Sequence, residues 1–185
     1  YFLEQGREWE RYALIKARVV AGDQAAGAEL LETLSPFVYR KYLDYGALES
    51  LRDMKAMIAR EVRRRRLADN VKLGRGGIRE VEFIAQAFQL IRGGQEPALR
   101  ERGLQPVLAY LADQALIPAH AQADLTAGYR YLRVIENRIQ AMHDRQAHDL
   151  PTDALDQARL VLAMGEQDWA SLRETLDDWR RRVQG

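Results

Sequence analysis

Cysteine is absent from this 185-residue sequence, which excludes disulfides, thiolate metal sites and thiol catalysis. Long apolar runs are missing too. No stretch approaches about eighteen residues, so neither a transmembrane helix nor a secretory signal is expected. Neither sign of charge dominates: 28 Lys and Arg stand against 27 Asp and Glu, a formal +1. Without a global field or a recognisable reader motif, nucleic acid is not an expected partner. Strict apolar/polar alternation is scarce and no internal repeat is evident, which argues against sheets and solenoids. Serines are few, and no Ser-His-Asp pattern emerges. His143 and His148 lie five apart, the wrong interval for two ligands on one helix face, so no metal site is expected.

A hydrophobic content of 47 per cent suffices for one compact core. The periodicity predicts helices over 3–20, 24–34, 46–66, 78–92, 103–114, 118–146, 152–164 and 167–183, with a break at Ser35-Pro36. The expected fold class is therefore all-α: a compact multi-helix bundle of about seven or eight helices with one long central helix. In that long helix Leu125, Tyr129, Leu132, Ile135, Ile139 and Met142 recur at intervals of three and four, a core-facing stripe. The composition is compatible with a reducing cytoplasm, the expected location.

The segment DNVKLGRGGIREVEFIAQAFQLIRGGQE at 69–96 joins a glycine-rich turn bearing Lys72 and Arg75 to a helix apolar over most of its circumference. Gly74, Gly76 and Gly77 precede that helix, and Gly93 and Gly94 follow it. Advancing about 100° per residue, Val81, Ile84, Ala85, Phe88 and Ile91 share one arc, and Arg79, Glu82, Gln86 and Gln89 form the remaining stripe, which must face water or a polar cavity. Glu80 falls in the first turn, where a carboxylate complements the unpaired amides. Two readings follow. The amides at Gly76 to Arg79, with Lys72, Arg75 or Arg79, could form an anion site; equally, the glycines could make a tight structural turn.

Two other basic features stand out. Lys16 projects into the arc made by Trp9, Ala13, Val19 and Val20 of the first predicted helix, so it is either snorkelling or paired. Arg60 with the run Arg63 to Arg66 reads first as a solvated helix end, then as a protein contact and last as a nucleic-acid contact.

The run K-L-G-R-G-G-I-R-E-V-E-F-I at 72–84 resembles the signature of the helical domain in bacterial glutamine synthetase adenylyltransferases. A shorter version resembles the equivalent region of the uridylyltransferases that modify PII signal proteins. W-E-R-Y-A-L-I-K-A-R at 9–18, the run from Phe37 through M-I-A-R-E-V at 57–62, F-Q-L-I-R-G-G at 88–94, E-N-R-I-Q at 136–140 and D-R-Q-A-H-D-L-P at 144–151 are similar to the same family. At Ala147 the family usually has threonine. The resemblance covers essentially the whole chain and leans towards the N-terminal, AMP-removing half of those enzymes.

The resemblance implies an enzyme that attaches AMP to a tyrosine of glutamine synthetase or removes it by phosphorolysis, using ATP, ADP, phosphate and Mg2+. It implies glutamine synthetase, the PII signal protein and a preceding nucleotidyltransferase domain as partners. The family's nucleotidyltransferase core carries a Gly-Ser turn and an Asp-x-Asp pair, and neither occurs in this sequence. Catalytic carboxylates and a stably bound cofactor are thus not expected here, and the first residue, Tyr1, suits a piece of a longer chain. Residues 1–22 read as the last helix of that core and 23–185 as the helical domain. On this reading Lys72, Gly76, Gly77, Arg79 and Lys16 are candidates to bind nucleotide or phosphate, and Glu80 and Glu82 to orient the basic groups. The alternative is a non-catalytic interaction module that binds PII, glutamine synthetase or the enzyme's other half.

Overall fold

The computed structural model describes residues 5–40, 56, 60 and 67–185. Among the described residues there are seven α-helices and no strand: α1 Glu8–Leu14, α2 Gln24–Val38, α3 Ile78–Arg92, α4 Leu104–Asp113, α5 Ala119–His143, α6 Ala154–Met164 and α7 Trp169–Gln184. The fold is all-α, as the periodicity predicts. Apart from Ala56 and Arg60, both helical and exposed, the predicted helix over 46–66, with the basic run Arg63 to Arg66, lies outside the described residues. The chain divides into two compact units, Tyr1–Ala56 with Phe83–Tyr110, and Met57–Glu82 with Leu111–Gly185.

In the first unit α1 is shorter than its pattern suggests, ending at Leu14 rather than near residue 20. Tyr12 and Ile15 are buried while Trp9 is 61 % and Val20 75 % exposed, so the arc read from Trp9 to Val20 is not the core face. Arg11 explains the shift. The residue is 1 % exposed, and its Nε and Nη2 donate to the Phe37 and Val38 carbonyls at 3.0 and 3.1 Å. Those carbonyls belong to the last turn of α2 and have no intrahelical partner, so an interior arginine caps a neighbouring helix.

The same cap corrects the break expected at Ser35-Pro36. α2 begins where Asp23 accepts from the Ala25 and Ala26 amides and continues through Pro36 to Val38. A proline in the last turn forfeits one backbone bond, which the Arg11 cap and the Tyr39 N–H donating to the Ser35 carbonyl offset. Tyr12, Ile15, Phe37, Val38, Phe83 and Leu90 form this unit's core. After α3, Gly93 lies so close to the Tyr39 ring that a Cβ would sit 2.7 Å from it. Arg100 closes that end, donating from Nε to the Gly93 carbonyl at 2.6 Å and lying over the Tyr39 ring.

In the second unit α5, α6 and α7 pack on one another. The predicted stripe of α5 is its core face: Leu132, Ile135 and Ile139 join Val71, Ile78, Leu150, Leu160, Leu172 and Leu176, with Tyr129 and Met142 packed against them. α5 stops at His143 because Asp144 turns left-handed at φ 48°. α6 and α7 start on the side chains of Asp153 and Asp168, which accept from the Asp156 and Ser171 amides. α6 ends where Gly165 adopts φ 72°, a conformation glycine takes without strain.

Candidate functional site: a basic cluster rooted in a buried carboxylate

The glycine turn is held from both sides. Asn70 Oδ1 accepts from the Lys72 and Leu73 amides at 3.1 and 2.8 Å, while its Nδ2 donates to Asp149 Oδ1 at 2.9 Å. The backbone pairs with the segment before Pro151 as well, Val71 N–H to His148 C=O at 2.8 Å and Leu150 N–H to Asp69 C=O at 3.0 Å. From the other side Arg180 of α7, 9 % exposed, donates to the carbonyls of Ala68 and Asn70 at 2.9 and 3.0 Å. Its burial pushes the guanidinium pKa down. Gly76 has φ +66°, and a Cβ there would lie 2.4 Å from the Arg180 carbonyl oxygen. At Gly77 a Cβ would stand 2.7–2.8 Å from three backbone carbonyls. Both glycines are therefore required by close backbone packing.

The amides at the start of α3 are partnered within the turn itself. Gly76 N–H donates to Glu80 Oε2 at 2.8 Å; Gly77, Ile78 and Arg79 N–H donate to the carbonyls of Gly74, Val71 and Lys72 at 2.9, 3.2 and 3.0 Å. Glu80 thus performs the capping role expected of a first-turn carboxylate. An anion at this place would meet side chains rather than free amides.

Those side chains come from three separate segments. Lys72 Nζ lies 3.7 Å from Glu136 Oε1, Arg133 Nη1 donates to Glu136 Oε2 at 2.5 Å, and His148 Nδ1 stands 2.9 Å from Oε1. The Glu136 side chain is 2 % exposed against 32 % for Lys72, 41 % for Arg133 and 19 % for His148. His148 stands close enough for an ion pair, yet among the described residues no donor is aligned with Oε1 as a hydrogen bond. Breaking a buried ion pair by removing one partner typically costs about 3–5 kcal/mol, so Glu136 is a root the cluster cannot lose cheaply.

Arg79 is paired along its own helix, Nη1 to Glu82 Oε2 at 3.4 Å. Tyr129, four residues before Arg133 on α5, feels both carboxylates. Burial first, then the Glu82 charge, push its hydroxyl pKa up, against the Arg133 guanidinium, with Glu136 adding to the rise. The phenol therefore stays a hydrogen-bond donor at neutral pH.

Lys16 belongs to the first unit, where it follows α1 and its ammonium donates to the Arg102 carbonyl. The stripe of Arg79, Glu82, Gln86 and Gln89 is wet only at its start: Gln86 and Gln89 are 3 % and 1 % exposed. Gln89 Nε2 donates to the Leu99 and Glu101 carbonyls at 2.8 and 2.7 Å. A glutamine tying down a loop looks in sequence like any surface polar residue.

Glu136 and Arg180 were not legible as candidate-site residues, because Lys72 and Asn70 lie 64 and 110 positions away from them in the chain, and Arg133 enters the cluster only through Glu136. The one signal was that E-N-R-I-Q and D-R-Q-A-H-D-L-P are blocks of the same resemblance as the glycine turn, and the fold brings all three together.

The model of one family, described as GlnD PII-uridylyltransferase, matches residues 52–185, well over half of the chain. The chain belongs to that family. A second model, described as glutamate-ammonia ligase adenylyltransferase, matches residues 1–33. Bifunctional glutamine synthetase adenylyltransferase/adenylyl-removing enzymes of Nitrosococcus oceani and Pseudomonas syringae pv. tomato are each 58 % identical, over 100 % and 99 % of this chain. The enzyme of that name from Pseudomonas putida is 57 % identical over 99 % of it. In each case the match spans 19 % of the relative's length. The glycine turn, α5 and the His148 segment of this PII-uridylyltransferase family member all fall inside the 52–185 match.

Proposed function

We propose that this chain is the helical domain of a cytoplasmic glutamine synthetase adenylyltransferase/adenylyl-removing enzyme. Its basic cluster helps form the site where AMP is removed from, or transferred to, a tyrosine of glutamine synthetase. The observation that carries the reading is the convergence of Lys72, Arg133 and His148, from three separate segments, on the buried Glu136. Such a group can place positive charge where phosphoryl oxygens gather charge in the transition state. Lys72 and Arg79 are the phosphate-binding side chains, Gly76 and Gly77 shape the turn that presents them, and Glu80 and Glu82 hold its start and Arg79. Lys16 is a separate phosphate-binding candidate within residues 1–22, read as the last helix of a preceding nucleotidyltransferase domain; a separate family model matches residues 1–33.

Among the described residues no three His, Asp or Glu side chains come together as a metal site would need. The described residues do not fit the Mg2+ that ATP, ADP and phosphate chemistry uses. Carboxylates elsewhere in the whole protein would hold it.

The test is phosphorolysis of AMP from adenylylated glutamine synthetase by the full-length protein. Lys72→Ala and Arg79→Ala are each expected to slow it roughly tenfold or more while circular dichroism stays unchanged. Wild-type kinetics in a folded double variant would remove the cluster from the active site.

A second reading has its own observation. Leu155 and Leu162 of α6 are 62 % and 83 % exposed, seven residues apart and so on one face. They favour an interaction surface for PII, glutamine synthetase or the other half of the enzyme.

A further inference from the structure

We propose that Glu136 is a positioning residue, which holds Lys72, Arg133 and His148 as one basic rim for a phosphate group. This deepens the active-site reading above and rests on it. Glu136 cannot meet a phosphate itself, since the two are like charges and its carboxylate is buried beneath the side chains it pairs with. It acts through its partners. Arg133 is fixed on Oε2 at 2.5 Å, whereas Oε1 has His148 Nδ1 at 2.9 Å and Lys72 at 3.7 Å, neither aligned as a hydrogen bond. The ammonium is therefore tethered by charge yet short of a hydrogen bond, which leaves it free to donate to an incoming oxygen without leaving its counter-ion.

Charge count points the same way. One buried carboxylate faces the cations Lys72 and Arg133, with the His148 imidazole beside them. A positive surplus is left at the outer ends of partly exposed side chains. The neutralisation of that surplus by a phosphate dianion is worth more at a half-buried rim than in open water. The same chemistry would come from inorganic phosphate in AMP removal or from ATP in AMP transfer, and kinetics in the two directions separate these sources.

The experiment uses the full-length protein with Glu136→Gln, Lys72→Met, the double variant and Glu136→Asp. It measures KM for inorganic phosphate in AMP removal, KM for ATP in AMP transfer, kcat in each direction, and circular dichroism. Glu136→Gln is expected to raise one of the two KM values roughly three- to tenfold with kcat within about twofold. In the Lys72→Met background the same change should add less than about twofold. Glu136→Asp, which keeps the charge one methylene back, should recover part of the loss. A purely structural carboxylate would lower the folded fraction and leave both KM values alone.

Unchanged KM values in folded Glu136→Gln, or fully additive effects in the double variant, overturn the proposal. If Glu136→Gln does not fold, Glu136→Asp decides: a shifted KM supports the proposal and wild-type values overturn it. Slow Lys72→Met beside normal Glu136→Gln rejects this proposal and keeps the active-site reading, whereas normal kinetics in both rejects the two together.

Discussion

Asp156 shows how a single side chain joins two helix ends. It sits in the first turn of α6, 8 % exposed, and its carboxylate meets His143 Nε2 at 2.5 Å and Arg159 Nη1 at 2.9 Å. His143 closes the last turn of α5, so a basic group faces the negative end of one helix while an acid faces the positive end of the next. The hydrogen bond from His143, then that from Arg159, hold the Asp156 carboxyl below its ordinary value of 3.8. A carboxyl depressed by folding stabilises the native state above its unfolded pKa. That contribution fades as pH falls through the lower, folded value. Asp156→Asn should thus lower the melting temperature most above about pH 4, and the gap to wild type should close as the solution is taken further into acid. Thermal melts at a series of pH values check this; a gap that stays constant into strong acid would mean that the charge of Asp156 does not matter.

Arg180 does at the level of elements what Asp156 does at a junction: it fastens the glycine turn to α7. Two charge-assisted hydrogen bonds to the Ala68 and Asn70 carbonyls are worth roughly 1.5–3 kcal/mol each. Arg180→Met keeps much of the apolar stem but leaves both carbonyls without that donor. Chemical denaturation should report a loss of about 3–6 kcal/mol, and amide exchange should quicken first at Val71 and Ile78, whose N–H groups bond to the His148 and Val71 carbonyls. Full protection at those amides would mean that the turn stands without α7. The contrast between α3 and Arg180 shows what the sequence makes legible. α3 spans 78–92 as its pattern predicts, because glycines on either side and an apolar arc are local signals. Lys72, Arg79, Glu80 and Glu82 stand out as candidates for the same reason, all lying within one short run. The ends of α1 and α2 were not, since an interior arginine, Arg11, supplies the cap for carbonyls 26 and 27 residues away. Glu136 was hidden similarly: an acid on a long helix reads as a solvated face until the fold puts Lys72 and His148 on it.

At the scale of the whole molecule the question is what 185 residues can do without the remainder of a chain such as the relatives have, of which a match covers 19 %. Phosphoryl transfer needs clustered carboxylates to hold a divalent cation and positioned cations to neutralise the phosphate. On the reading proposed above, the cluster of Lys72 and Arg133 on Glu136 offers the second, and no Asp-x-Asp pair occurs in this sequence to supply the first. The isolated chain, once circular dichroism shows it helical, should therefore release no AMP from adenylylated glutamine synthetase in the presence of phosphate and Mg2+, and attach none from ATP. Turnover above a no-protein control would place catalytic carboxylates within these residues. The same preparation separates the two functional readings, because an active-site wall has little cause to bind a partner alone. An interaction module built on the Leu155 and Leu162 face of α6 would bind PII or glutamine synthetase by itself. Absence of binding in calorimetry at micromolar protein, together with slow full-length Lys72→Ala, leaves the basic cluster as the functional part of this chain. Tight binding by the isolated chain, lost in a Leu155→Ser, Leu162→Ser variant, would move that role to α6.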